Sequence, residues 1–107
     1  MGALLVLLAA CTTTPVYPSD LEGQDYTDVD TVVEVLDCAS WIMASHIGTG
    51  ASGEQEVVES ARAEVRLNTG ADVQQAQQLG EHIWAIATAS GRVLGALDTR
   101  GGLAFCG

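Results

Sequence analysis

A chain of 107 residues has room for one small domain, whose core is near the lower size limit for stable folding without covalent support. Fourteen Asp and Glu residues are set against four arginines and no lysine, so the net charge is -10 and the isoelectric point is about 4.1. Such a polyanion repels nucleic acid and anionic lipid surfaces, which argues against both as direct partners.

The N-terminal residues 2–10 form an uncharged, mostly aliphatic run, too short for a membrane span, which needs about 20 residues. The run ends in Leu8-Ala9-Ala10-Cys11, where small residues precede a thiol that can form a thioether with diacylglycerol. This pattern resembles the lipobox of bacterial lipoproteins. The resemblance implies that residues 1–10 are a signal peptide and that Cys11 is lipidated, with acyl chains such as palmitate anchoring the protein at the extracytoplasmic face of the cell membrane.

No basic residue precedes this apolar run, although signal peptides normally begin with Lys or Arg. We therefore expect the natural start to lie upstream. The alternative is a frayed apolar N-terminus with a chance cysteine.

Residues 12–31 have the composition of a solvated tether, with both prolines and few large apolar residues. The segment carries five acidic residues: Asp20, Glu22, Asp25, Asp28 and Asp30. Their spacing does not match a calcium-binding loop. We predict a lipidated acidic tether over residues 11–31 and a single domain over residues 32–107.

Residues 32–46 are rich in Val and Ile, which favours one or two strands. A helix stays open as an alternative, because Val32, Leu36, Ala39 and Met43 also fall on one helical face.

The clearest helix signal follows Ser52, which has the spacing of a capping box with Gln55. Val58, Ala61 and Val65 form an apolar stripe, and Asn68-Thr69-Gly70 is a stop signal. We predict a helix from about Gly53 to Leu67.

The last third of the chain indicates a meander of antiparallel strands over residues 83–89, 93–99 and 103–106. Hairpin turns that need positive φ are predicted at Ser90-Gly91 and Gly101-Gly102. Residues 73–79 fit a helix through their glutamines or a strand through the Gly80 that follows, and we favour the strand. The predicted fold class is α+β, with one helix packed on an antiparallel β-meander.

The chain has three cysteines, and an odd number in an exported protein leaves one cysteine without a disulfide partner in the same chain. With Cys11 lipidated, Cys38 and Cys106 remain to form a disulfide, which the chain-entropy model values at about 4 kcal/mol for a long loop. The competing interpretation is a catalytic thiol at Cys38 with His46 or His82 as its base, but no local nucleophile motif supports it.

A glycine motif, Gly48-Thr49-Gly50-Ala51-Ser52-Gly53, matches the dinucleotide-binding Gly-x-Gly-x-x-Gly. The acidic strand end expected about 20 residues later is missing, so a flexible loop is favoured.

The other candidate side chains lack a motif. His46 and His82 have no metal-site spacing, and Trp41 and Trp84 are predicted to be core residues. Three carboxylates are candidates for an acid and base pair only if the fold brings them together: Asp37, Glu81 and Asp98. We predict no catalytic residue, metal or cofactor.

Beyond the lipobox, the chain resembles small secreted lipoproteins of actinobacteria, and this resemblance implies no activity. It rests on Asp37-Cys38-Ala39-Ser40-Trp41, a mid-chain helix, and a final hairpin at Ser90-Gly91-Arg92-Val93 that ends in Gly101-Gly102-Leu103-Ala104-Phe105-Cys106. Our leading hypothesis is a non-catalytic envelope module that binds a protein, peptide or glycan. The alternatives are a small envelope hydrolase using His and carboxylate residues, or an inhibitor-like module presenting the glycine loop. A histidine within hydrogen-bond reach of an acid favours the hydrolase, whereas an open sheet face with exposed apolar side chains favours binding.

Overall fold

Five antiparallel strands and two helices make up the part of the chain that the computed structural model describes, namely Leu21 and residues 25–107. In chain order they are α1 Val29–Leu36, β1 Trp41–Ser45, α2 Glu54–Thr69, β2 Gln75–Gln78, β3 Ile83–Ala87, β4 Val93–Asp98 and β5 Gly102–Cys106. The predicted α+β fold is confirmed, with one helix more than expected. Neither of these helices combines the length and apolar character that a membrane span requires.

All five strands belong to one sheet, in the order β1-β5-β4-β3-β2. β2 to β5 form the predicted meander, and the turns at Gly91 (φ 94°) and Gly101 (φ 115°) have the expected positive φ. β1 pairs with β5, the last strand, from Trp41 opposite Cys106 to Ser45 opposite Gly102. The two ends of the domain sequence therefore meet at one edge of the sheet.

Helix α2 covers one face of the sheet, over β2 and β3. The predicted stripe of Val58, Ala61 and Val65 is buried there. The helix ends as predicted, at Gly70, whose φ is 76° and whose N–H donates to the Arg66 carbonyl at 2.9 Å.

The start of α2 differs from the predicted capping box. Gly53, not Ser52, is the N-cap residue. Gly53 makes no side-chain cap hydrogen bond, so the predicted capping box does not form. Instead, Glu56 Oε1 accepts the N–H of Ser52, the residue before the cap, at 3.0 Å.

Helix α1 covers the opposite face, over β4 and β5. The preference for strands over residues 32–46 was therefore wrong for the first half of that segment and correct for β1. Asp28 begins the helix, because its Oδ1 accepts the Thr31 N–H at 2.8 Å. Burial of Val29, Val32 and Val33 against the sheet outweighs the strand preference of β-branched residues.

The packed region extends upstream of Val32, into the segment predicted as tether. Leu21 and Tyr26 are 1% and 3% exposed and belong to the core beneath α1. The Tyr26 N–H also donates to the Leu79 carbonyl at 3.1 Å. The predicted signal peptide, Cys11 and the first part of the tether lie outside the described residues.

Candidate functional site

The sheet has two edge strands, and their outer sides differ. At β2, the Ala76 N–H donates to Oε2 of Glu54 from helix α2 at 3.1 Å. Gln77 and Gln78 add polar side chains to the same strand. A carboxylate thus satisfies part of the backbone that this edge would offer to another strand.

At β1, the backbone N–H and carbonyl groups that point away from β5 are those of Trp41, Met43 and Ser45. The Gly107 N–H donates to the Ser40 carbonyl at 3.0 Å, which sets the ladder with β5. Because hydrogen-bonded and non-bonded pairs alternate in an antiparallel ladder, Ile42 and Ala44 bond to β5 and their neighbours point outward. No other strand of the described chain pairs with this side.

The side chains of β1 are also open to solvent. Trp41 is 41% exposed and Met43 is 58% exposed. Met43 lies beside Ala104, which is part of the core beneath α1, so both side chains are on the α1 face of the sheet. The prediction that Trp41 is a core residue is therefore wrong, because α1 packs over β4 and β5 and leaves β1 uncovered.

The direction of α1 follows from contacts at its two ends. Near its start, Arg100 Nη2 donates to the Thr27 carbonyl at 2.9 Å, beside the turn before β5. Just after its end, Cys38 is bonded to Cys106 at the end of β5, with the two Cα atoms 5.5 Å apart. The predicted disulfide is thereby confirmed, and α1 runs alongside β5 in the same direction.

This direction determines which flank of α1 borders β1. Asp30 and Glu34 are at helical spacing, Asp37 follows as the left-handed C-cap residue with φ 57°, and all three are exposed. With the buried valines against the sheet, a right-handed helix in this orientation turns these acidic residues toward β1. We call the outward residues of β1 together with these three carboxylates the β1 surface.

The second candidate site is a depression of about 220 Å³ near the turns that precede β3 and β5. It is lined by Asp25, Tyr26, Thr27, Glu81, His82 and Arg100. His82 Nε2 is 3.7 Å from Glu81 Oε2, which is too long for a hydrogen bond, and the Glu81 side chain is 88% exposed. His82 Nδ1 is 3.4 Å from Thr99 Oγ1. The structure therefore brings His82 near the Glu81 carboxylate but does not join the two side chains by a hydrogen bond.

Asp98, another of the candidate carboxylates, forms an ion pair with Arg100 near this depression. The guanidinium donates to Oδ1 at 3.0 Å and to Oδ2 at 2.8 Å. These hydrogen bonds hold the pKa of Asp98 below its ordinary value. Asp37 is at the opposite end of the sheet, so the three candidate carboxylates do not meet.

The remaining candidates are also separated. His46 is exposed at the end of β1, in a left-handed conformation with φ 63°. Trp84 is half-buried against the core beneath α2. Cys38 is in the disulfide and cannot act as a nucleophile while the bond persists. Within the described residues, no group of three or more potential ligands is placed to hold a metal ion.

The glycine loop connects β1 to α2, and its backbone is used within the chain. The Gly50 N–H donates to the Thr99 carbonyl at 2.8 Å, and the Ala51 N–H donates to the Gly48 carbonyl at 2.9 Å. The loop therefore packs on the β4–β5 turn rather than extending freely. The helix that follows carries two glutamates of its own in the first turn, where a dinucleotide phosphate would need to approach.

Comparisons with family models, with curated proteins and with solved structures found no match. Function must therefore be argued from the residues themselves. The β1 surface and the His82 depression are the two places that bear on the competing hypotheses.

The β1 surface was not foreseen from the sequence. One signal for it was present, because Asp28 precedes apolar residues at helical spacing and thus indicates a helix beginning at Val29. With that helix in place, Asp30, Glu34 and Asp37 fall on one face. The exposure of Trp41 depends on the pairing of β1 with β5, which no local pattern reveals.

Proposed function

We propose that the chain is a lipoprotein anchored at the extracytoplasmic face of the membrane, and that its domain is a non-catalytic binding module. Among protein, peptide and glycan partners, a polypeptide fits best. The observation that carries this proposal is the edge position of β1, where Trp41 and Met43 are exposed beside backbone that no other strand of the described residues pairs with.

An open edge strand with exposed apolar side chains is uncommon in a protein that works alone. Natural sheets usually protect their edges with lysine, proline, a bulge or a covering element, because an open edge recruits other strands. The edge at β2 has such protection from Glu54, and β1 carries neither lysine nor proline. The contrast supports a role for β1 in binding.

The hydrolase alternative receives less support from the described residues. A general base needs to reach its partner within a hydrogen bond, or through one water molecule. His82 does not contact Glu81 at that distance, and Asp98 is held by Arg100. Binding is therefore the function that the geometry supports best.

The anchoring part of the proposal rests on the lipobox. It fits the charge of the chain, because a net charge of -10 gives no attraction to an anionic bilayer and leaves the acyl chains to provide the attachment. Intact-mass analysis of the membrane-associated protein without reductant tests it. We expect the added mass of acyl groups on Cys11 together with the loss of both thiol hydrogens of Cys38 and Cys106. A dissolved protein with residues 1–10 still attached would contradict the anchoring.

The binding part can be tested in cells with a photo-crosslinking amino acid at position 43, using position 77 on the opposite edge as the matched control. We expect a discrete adduct at position 43, its loss on Trp41→Ala, and no such adduct at position 77. Equal labelling at both positions, or no adduct at position 43, would contradict a binding role for β1.

A further inference from the structure

We infer that the β1 surface takes up an extended, cationic peptide segment of a partner protein as an additional strand beside β1. The inference rests on the proposed binding function and specifies the chemical class of the partner.

The backbone of β1 offers a complete hydrogen-bonding pattern. Trp41, Met43 and Ser45 each direct an N–H and a carbonyl away from β5, because Ile42 and Ala44 form the bonds on the inner side. An extended segment can pair with these groups without any rearrangement of the sheet. Main-chain pairing of this kind supplies affinity, and the alternating side chains supply specificity.

On the α1 face, the added strand would lie next to Trp41 and Met43, with the acidic flank of α1 above. An aromatic face attracts Lys or Arg, and carboxylates strengthen this attraction. This flank carries two acidic residues of α1, Asp30 and Glu34, together with the C-cap residue Asp37, and α1 contains no basic residue. Basic side chains therefore suit this face of the partner strand.

The opposite face of β1 favours apolar side chains. Ile42 and Ala44 are half-buried and pack against the core beneath α2. Side chains of an added strand on this face would continue that apolar surface. The preferred segment thus alternates basic and apolar residues.

A second copy of this chain fits the same edge poorly. Two β1 strands related by a two-fold axis would bring both α1 helices to one face, with their acidic flanks directed at each other. Each chain also carries a net charge of -10, so like charges would oppose the pairing. Charge complementarity thus selects a cationic partner.

The test uses the full chain with its disulfide and a synthetic peptide of about ten residues that alternates Lys and Val, which is long enough for one strand. One control peptide alternates Glu and Val, and the other alternates Lys and Pro. The first reverses the charge, and the second keeps the charge but cannot donate at every second residue. Binding is followed by amide NMR shifts and by hydrogen exchange at Met43 and Ser45.

Two pairs of variants separate the backbone from the charges. Met43→Pro removes the outward N–H while leaving the ladder to β5 intact, and Met43→Ala keeps that N–H. Glu34→Gln with Asp37→Asn removes two charges from the β1 surface, whereas Glu59→Gln with Glu64→Gln removes two charges from α2.

We expect the Lys–Val peptide to bind and to protect the Met43 amide, and neither control peptide to do so. Met43→Pro should weaken binding about tenfold relative to Met43→Ala, since one backbone hydrogen bond is lost. The variant Glu34→Gln with Asp37→Asn should bind the peptide about fivefold more weakly than wild type, and the variant Glu59→Gln with Glu64→Gln should bind it about as well as wild type.

Equal binding of the Glu–Val peptide would overturn the cationic partner, and equal binding by Met43→Pro and Met43→Ala would overturn strand addition. A dimer in sedimentation experiments that Met43→Pro abolishes would identify a second copy as the occupant and would overturn the inference. In each of these cases a crosslink at position 43 would still support the proposed binding function. Loss of that crosslink would instead remove the function itself.

Discussion

Trp41 lies directly opposite Cys106 in the ladder between β1 and β5, so the disulfide from Cys38 ends at the residue paired with the first residue of the β1 surface. The covalent bond fixes the end of α1 beside β5, and β1 begins only three residues after Cys38. The acidic flank and the exposed tryptophan are thereby held in one relative position. Rigid placement of this kind lowers the entropic cost of binding.

Removing the disulfide should therefore lower both stability and binding. We expect Cys38→Ser with Cys106→Ser to reduce the free energy of unfolding by about 4 kcal/mol, because the bond closes a loop of 68 residues. Urea unfolding with and without reductant measures this difference. The wild-type protein should respond to reductant, whereas the double serine variant should not. Equal stability of the oxidised and reduced wild-type protein would contradict the structural role.

The ion pair between Asp98 and Arg100 predicts a dependence of stability on acid pH. Hydrogen bonds from Arg100 lower the pKa of Asp98 in the folded protein below its ordinary value of 3.8. A lowered folded-state pKa means that the stabilisation is complete above that value and is lost as the pH falls below it. The carboxylate should therefore stabilise the domain at neutral pH and contribute little at strongly acid pH.

Asp98→Asn tests this expectation, with Glu81→Gln as a control of the same charge change at an exposed side chain. We expect Asp98→Asn to cost about 1 kcal/mol at pH 7, because the charge-assisted hydrogen bonds are partly exposed to solvent. Its deficit relative to wild type should shrink as the pH is lowered past the carboxyl range. Urea unfolding across the acid range provides the measurement, and a deficit that is independent of pH would argue against the ion pair.

The sequence predicted the sheet better than the helix beside it. β3 to β5 are short, apolar and bounded by glycine turns, and local patterns of that kind identify them. β2 contains three glutamines, and its strand was favoured over a helix only because Gly80 follows it. α1 is different, because its valines favour a strand and only burial between Tyr26 and the sheet makes the helix the better choice. Local preference and tertiary packing disagree at that segment.

The candidate site was harder to predict for a related reason. The disulfide was predicted from the number of cysteines together with the expected lipidation of Cys11, both of which rest on the sequence alone. The exposure of Trp41 depends on β1 being an edge strand, and that depends on pairing with residues more than fifty positions away. The size of a tryptophan indicates burial in general but does not show which strand will be at an edge.

The glycine loop after β1 offers a test of its packing against β4. Gly48 has φ 82°, and a Cβ there would lie 2.7 Å from the Leu97 side chain. Gly50 has φ 78° with no atom within 4 Å of the same position. We expect Gly50→Ala to cost about 1 kcal/mol from backbone strain alone and Gly48→Ala to cost about 3 kcal/mol, because steric overlap with a buried side chain is added. Thermal unfolding of the two variants measures the difference, and equal losses would contradict the packed loop.

The two tryptophans should separate stability from binding. Trp41 is 41% exposed, so Trp41→Ala should lower the free energy of unfolding by only about 1–2 kcal/mol. Trp84 packs against the core beneath α2, so Trp84→Ala should cost about 3 kcal/mol through lost apolar contact. Binding should respond in the opposite order, since only Trp41 belongs to the β1 surface. Urea unfolding together with titration of the Lys–Val peptide gives both quantities for each variant. A large stability loss for Trp41→Ala would mean that this side chain is a structural part of the core, and β1 would then lose its aromatic contact for a partner.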